Sequence, residues 1–207
     1  MLFNSIDFIY IFLPITFFLY FYLKKKKVYK ISKIFLIFAS LTFYSWWNVN
    51  YLPLILGSII FNFSIGNYLA SNDFKSYLNK KSILFLGILG NISLLSFFKY
   101  SDFLILNVNR FTNLEISPLN IALPLAISFF TFQQIAYLID SYKKETYKYN
   151  FVDYCLFITF FPQLIAGPIV HHKEMFPQIS NSLISSKNYK NIACGLFIFS
   201  IGLFKKV

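Results

Sequence analysis

Gln133, Tyr137 and Asp140 occur at intervals of one helical turn inside an otherwise apolar run. If that run is a helix, a rotation of about 100° per residue puts all three on one narrow face. Ser128, Thr131 and Gln134 form a second stripe beside them. Amide, phenol and carboxyl groups in apolar surroundings need hydrogen-bonding partners. Two arrangements meet that need. Either the face lines a polar cavity, or it bonds to neighbouring helices and holds a bundle together. Both readings stand on the sequence alone. In the next apolar run Gln163 follows Pro162, with Gly167, Pro168, His171 and His172 after it. Those two histidines are the only ones in the chain. Adjacent helical residues point about 100° apart, so the pair makes a poor metal clamp. A catalytic base also needs an orienting partner and a substrate pocket, and the nearness of Glu174 in sequence does not supply them. The expectation is no assigned catalytic residue, no metal site, and a substrate path lined by Gln133, Tyr137, Asp140, Gln163, Gly167, Pro168 and His171. Asn62, Asn67 and Asn91, with Gly87 and Gly90, read instead as packing, because small residues let helices approach and amides bond across the contact.

The elements that position these groups follow from composition. Hydrophobic residues make up 57% of the 207 residues and charged residues 13%. A soluble domain carries roughly 25% charged residues, so most of this chain belongs in a lipid bilayer. Part of the abundance of Phe and Tyr, 28 and 15 residues, is attributed to codon bias. The net charge of +11 comes from lysines set between apolar runs, at residues 24–33, 75–81 and 143–148. That is the pattern of cytoplasmic loops, whereas a nucleic-acid partner needs one continuous basic face. Nucleic acid is therefore excluded as a partner. Cys155 and Cys194 lie in apolar stretches with no disulfide or metal spacing, and read as free thiols. Residues 1–23 contain no Lys or Arg, and four lysines follow. This reverses the order in a cleavable signal peptide and marks a retained anchor with the N-terminus outside.

Seven apolar segments are expected, at about 6–23, 31–47, 51–70, 82–98, 119–139, 151–170 and 192–204, each near the ~20 residues that cross a bilayer. The fold class is all-α, a polytopic membrane helix bundle of six to seven transmembrane or re-entrant segments forming a single membrane domain over 1–207. The stretch 99–118, amphipathic around Phe103 to Val108, is expected along the membrane interface. Trp46 and Trp47 close segment two as an interfacial aromatic belt. Segment six contains Pro162, Gly167 and Pro168. A broken or re-entrant helix is favoured there, with its freed backbone against protein or a cavity. The chain reaches Val207 directly after Lys205 and Lys206, which fits either truncation or a basic stop.

Two stretches carry a family resemblance: LPLAISFFTFQQIAYLID at 123–140, and FFPQLIAGPIV at 160–170 with Phe176, Pro177, Gln178 and Ile179 beyond it. Together they resemble the bacterial, alginate-type branch of the membrane-bound O-acyltransferases. Tyr44, Ser45, Trp46 and Trp47, the triplet Gly195, Leu196, Phe197, and the run from Gly202 to Lys206 are similar to the same pattern. The likeness runs across nearly all of the chain. It departs at Ala126, where the family usually has Gly, and at His171, where it usually has a basic residue, often Arg. The first change is expected to cost little if packing admits a methyl group. The second is expected to weaken an anion or acyl-donor contact, since His is largely uncharged at neutral pH.

The resemblance implies the N-terminal part of a longer acyltransferase. The family's catalytic histidine is expected beyond this stretch, and neither His171 nor His172 matches it by context. It implies acyl transfer, in particular of acetyl groups, from a cytoplasmic donor such as acetyl-coenzyme A or an acyl carrier towards an exported or cell-envelope polysaccharide. No bound cofactor is implied. The implied partners are the lipid bilayer, a polysaccharide acceptor, envelope acyltransferase partner proteins and a second-half chain. The implied location is the cell inner membrane. Two alternatives stay open: a transporter or channel subunit, and a nonfunctional truncated product. Transport is disfavoured because Asp140 and Lys99 sit at segment ends, whereas transporters place ionisable groups mid-membrane.

Overall fold

The structure is a computed structural model that describes residues 2–71, 79–112, 115–144, 150–166, 175 and 188–206. All regular structure among the described residues is helical. Helix α1 (Leu13–Lys25) is preceded by one π-helical stretch, Asp7–Phe12. Pro14 lies in the first turn of α1. Its ring crowds the carbonyl four residues back, and a wider turn just upstream relieves that crowding. Helix α2 (Tyr29–Ser45) returns from a tight connection at Lys26 to Val28. A 3-10 turn, Val49–Tyr51, leads into α3 (Leu52–Ala70), with Asn48 accepting a hydrogen bond from the Asn50 amide at 2.9 Å. Helix α4 runs from Lys80 to Thr112, α5 from Ile127 to Tyr142, α6 from Phe151 to Thr159, α7 from Phe161 to Ala166 and α8 from Tyr189 to Lys206.

Three of these are long and apolar enough to cross a membrane: Asp7–Lys25, Val49–Ala70 and Lys80–Thr112. The regular structure of the described residues is thus all-helical, with three candidate membrane spans. Helix α2, with 17 residues, extends about 25 Å, just short of the ~30 Å hydrocarbon core. Helix α6, with nine, is too short to cross alone.

Two expectations are corrected. Residues 99–112 do not lie apart along the interface; they continue α4 without a break. A helix of 33 residues is about 50 Å long, longer than the ~30 Å hydrocarbon core. Segment five does not begin at 119. Residues 115–124 are non-helical and run back along α4. The Asp102 carboxylate accepts hydrogen bonds from the Leu119 amide at 2.7 Å and the Asn120 amide at 3.2 Å. The Asn109 side chain bonds both polar groups of the Ile116 backbone, at 2.7 and 3.1 Å. An apolar window cannot distinguish such a pinned strap from the start of a helix.

Helix α5 packs between α3 and α4, while α1, α6 and α7 pack on α2. The Lys33 ammonium lies 2.6 Å from the Asp153 carboxylate, and Ser40 meets Phe161, so α6 runs parallel to α2. The Lys80 ammonium bonds the carbonyls of Leu69 and Ser71, capping α3 where its last carbonyls are free. Through these pairings the ends of α1, α3 and α5 and the starts of α2, α4 and α6 share one lysine-rich side. Trp46, Trp47 and Tyr51 mark the opposite side, where the Tyr51 hydroxyl bonds the Ala122 carbonyl.

Candidate functional site

The two polar stripes of α5 have different fates. Gln134 is fully buried. Its Oε1 accepts hydrogen bonds from the Ser58 hydroxyl at 2.6 Å and the Asn62 amide at 2.8 Å. Asn62 and Asn91 also exchange amide bonds at 2.6 and 3.1 Å. Asn62 and Asn91 further donate to the Ser58 and Gly87 carbonyls of their own helices. Four side chains from α3, α4 and α5 thus form one buried network. Gly87 allows the close approach: a Cβ there would lie 2.8 Å from a Leu138 methyl. For Gln134 Oε1, Asn62, Asn91 and Gly87 the packing reading holds; Gln134 Nε2 and Thr131 Oγ1 of the same stripe are buried without a hydrogen-bond partner among the described residues.

The other stripe faces α3 and α6. Gln133 is 4% exposed, and its Oε1 has no hydrogen-bond partner among the described residues. One turn on, the Tyr137 ring lies against Gly66, where a side chain would overlap it. On its other side Tyr137 meets Tyr154 of α6, with ring centroids 4.5 Å apart. Tyr154 is wholly buried, and its hydroxyl also lacks a partner among the described residues. Asp140 follows, half-buried, one turn nearer the lysine-rich side.

Helix α6 is buried from Tyr154 to Thr159 and stops at Phe160, whose ψ of 107° leaves the helical range. Pro162 explains the stop. It has no N–H for the Ile158 carbonyl, and its ring crowds that carbonyl. In the first turn of α7 the missing N–H costs nothing. The freed Phe161 amide donates instead to Ser40 Oγ at 3.3 Å, and the Gln163 and Leu164 amides turn to the Phe160 carbonyl. The carbonyls of Phe157, Ile158 and Thr159 are thereby released from their usual α-helical partners. Phe8, Phe12 and Phe43 clasp the Phe161 ring, with centroids 5.2 to 6.1 Å apart. The expected break is therefore present at Pro162, inside protein. Gln163 lies on α7, which packs on α2; its Nε2 is buried without a partner among the described residues. Gly167, Pro168 and His171 lie outside the described residues.

Three features were not singled out from the sequence: Tyr154, Ser40 and the Lys33–Asp153 pair. Asp153 carried a signal, as an acid inside an apolar run with a basic segment elsewhere to match it. Tyr154 and Ser40 carried none, because Tyr and Ser recur throughout the chain. Ala126 is corrected in kind: its cost lies in the backbone rather than in packing. It precedes α5 with φ 57°, a left-handed conformation that favours glycine.

No group of three or more His, Cys, Asp or Glu suited to a metal occurs among the described residues. Asp153 is matched by Lys33. The α5/α6 seam brings the Tyr137 and Tyr154 rings together beside buried Gln133, polar groups in an apolar wall.

Residues 11–207 match the model of MBOAT, the membrane-bound O-acyltransferase family. The whole chain is similar to a peptidoglycan O-acetyltransferase of Helicobacter pylori, with 47% identity over 233 residues covering 44% of that protein. It is also similar over its whole length to proteins described as probable alginate O-acetylase AlgI. The identity is 33% in Pseudomonas aeruginosa, covering 39% of that protein, and 32% in Pseudomonas putida, covering 42%. The chain thus spans about two fifths of the length of these relatives. No solved structure matches it. With its membrane-length helices, its family match and its end-to-end similarity to two kinds of O-acetylating protein, the chain belongs to the membrane-bound O-acyltransferase family.

Proposed function

We propose that this chain forms the N-terminal membrane portion of an O-acetyltransferase that moves acetyl groups from a cytoplasmic donor towards a cell-envelope polysaccharide. The observation that carries this reading is the 47% identity along the entire chain to a peptidoglycan O-acetyltransferase. The geometry supports it through the α5/α6 seam, where Gln133 and Tyr154 keep buried polar atoms without partners among the described residues, on helices of which α6 ends at the Pro162 break. Buried polar groups left unpaired in hydrocarbon are costly, so a transient polar occupant is a reason to keep them. In this reading Gln133, Tyr137 and Asp140 line the path of the acyl donor, and Gln163, Gly167, Pro168 and His171 continue it. These residues position the moving group; none is assigned as its base. Acetyl-coenzyme A or an acyl carrier supplies the acetyl group, and envelope acyltransferases or a second-half chain complete the transfer.

The proposed setting is the inner membrane in six to seven transmembrane or re-entrant segments, with the lysine-rich side cytoplasmic and the N-terminus outside. Cysteines placed at Lys26 and Lys80 are expected to resist an impermeant thiol reagent in intact cells, and one at Asn48 to react. The reverse pattern overturns the orientation. For function, the gene is deleted in its host and envelope polysaccharide acetylation is measured by mass spectrometry. The expected result is loss of O-acetyl groups, restored by the intact gene and not by Gln133→Leu or Tyr137→Phe forms present at normal levels in the membrane. Unchanged acetylation on deletion removes the proposal.

A further inference from the structure

Tyr137 and Tyr154 belong to α5 and α6, and a third helix decides where their rings sit. On α3, Phe63 and Gly66 are three residues apart and so share one face. Gly66 is buried against the Tyr137 ring. A Cβ on it would lie 2.7 Å from both Cζ and the hydroxyl oxygen of Tyr137. No methyl group fits at that spacing, so the ring takes the place that any other residue's side chain would need. One turn earlier, Phe63 packs against the Tyr154 ring, with centroids 5.4 Å apart and planes inclined by 38°. Phe63 also meets Phe151, the first residue of α6, edge-on at 5.1 Å. The two tyrosines then meet each other at 4.5 Å. Phe63 and Gly66 thus form a seat on α3 with a place for each ring.

Cohesion alone does not call for tyrosine in that seat. The Tyr154 hydroxyl is buried without a partner among the described residues, and so is Gln133 Oε1 one turn before Tyr137. Phenylalanine at 154 would fill the same space without the cost of an unpaired hydroxyl. Tyr137 is 2% exposed and Tyr154 wholly buried, so packing leaves both rings little freedom. Side chains locked by packing in this way hold functional groups at a set distance and tilt.

We propose that Phe63 and Gly66 are the positioning residues of the α5/α6 seam. Gly66 admits the Tyr137 ring against α3, Phe63 holds the Tyr154 ring beside it, and together they fix the spacing of the two phenol groups. The inference rests on the reading of that seam as the donor's path. Neither residue is assigned a contact with the donor; each acts through a ring. The test places variants in the complementing gene and measures polysaccharide acetylation at matched membrane levels, with the unfolding midpoint of each purified protein in detergent. Gly66→Ala keeps Tyr137 but drives its ring towards Tyr154. Acetylation is expected to fall on the order of tenfold to a hundredfold, as for a misplacement of about 1 Å. Phe63→Leu loosens Tyr154 without adding volume, and is expected to lower acetylation as well. Should Gly66→Ala fail to accumulate in the membrane, Phe63→Leu decides. Gly87→Ala is the packing control. Its Cβ crowds a Leu138 methyl at 2.8 Å on another face of α5, so it is expected to lower the midpoint and leave acetylation at the wild-type level. Wild-type acetylation in either seat variant overturns the proposal, as does an equal loss in Gly87→Ala at a comparable midpoint. Failure of the path reading looks different: Tyr137→Phe then acetylates normally, or deletion of the gene changes nothing, and the positioning role falls with it.

Discussion

The two faces of α5 are made of similar residues and behave differently. Towards α3 and α4, Gln134 joins Ser58, Asn62 and Asn91 in a buried network. Towards α6, Gln133 and Tyr154 are as deeply buried but keep atoms without partners among the described residues. A bonded amide in a membrane bundle is cohesive; an unbonded one has a cost that packing alone does not offset. The difference lies in the amide oxygens: that of Gln134 accepts two hydrogen bonds, while that of Gln133 has no partner among the described residues, as is also true of Gln134 Nε2 and Thr131 Oγ1.

The largest expected effect is on the bonded face. Asn62→Leu removes the centre of the network and leaves Asn91 Oδ1 without its partner, at a cost of about 1–3 kcal/mol for each polar group left buried without a partner. Unfolding in detergent with a graded denaturant reads that loss, and an unchanged midpoint denies the network its structural role. The Lys33–Asp153 pair supports the comparison from outside, by fixing α6 against α2. Asp153→Asn is expected to cost about 1.5–3 kcal/mol, as for a hydrogen bond to a charged group. With side chains 21% and 16% exposed, the pair is partly screened, so the lower end is expected. The charge swap Lys33→Asp with Asp153→Lys should recover most of it; no recovery denies the ion pair.

Smaller effects sharpen the contrast. Ala126→Gly relieves the left-handed φ at the start of α5. Removing roughly 1–2 kcal/mol of steric cost against glycine's entropy of roughly 0.5–1 kcal/mol leaves a gain of about 0.5–1 kcal/mol, read as a raised unfolding midpoint. The smallest change in stability is expected for Gln133→Leu, within about 0.5 kcal/mol of zero, because it deletes an acceptor that has no described partner. It should nonetheless abolish the acetylation attributed to the complete enzyme. Destabilisation as large as that of Asn62→Leu would return Gln133 to the gluing class.

Much of the fold was legible in the chain because crossing a bilayer is a local property of composition. The apolar runs of α1 and α3, the lysines between runs and the disruption by Pro162 follow from residues close together in sequence. The strap at 115–124 was not legible, because Asp102 and Asn109 hold it from an earlier helix. Nor was the continuity of α4, since residues 99–112 look amphipathic yet carry no helix breaker.

The sequence by itself determined that Gln133 and Tyr137 share one helical face, that Gln134 lies beside them, and that a break falls near Pro162. Helical periodicity and the chemistry of proline require no knowledge of neighbours. Only the tertiary structure decided which amides are satisfied, because the deciding partners are remote: Ser58 lies 76 residues from Gln134, Asn62 lies 72 from it, and Asp153 lies 120 from Lys33. A hydrogen bond depends on distance in space, and in a helical bundle that distance is set by which faces pack together.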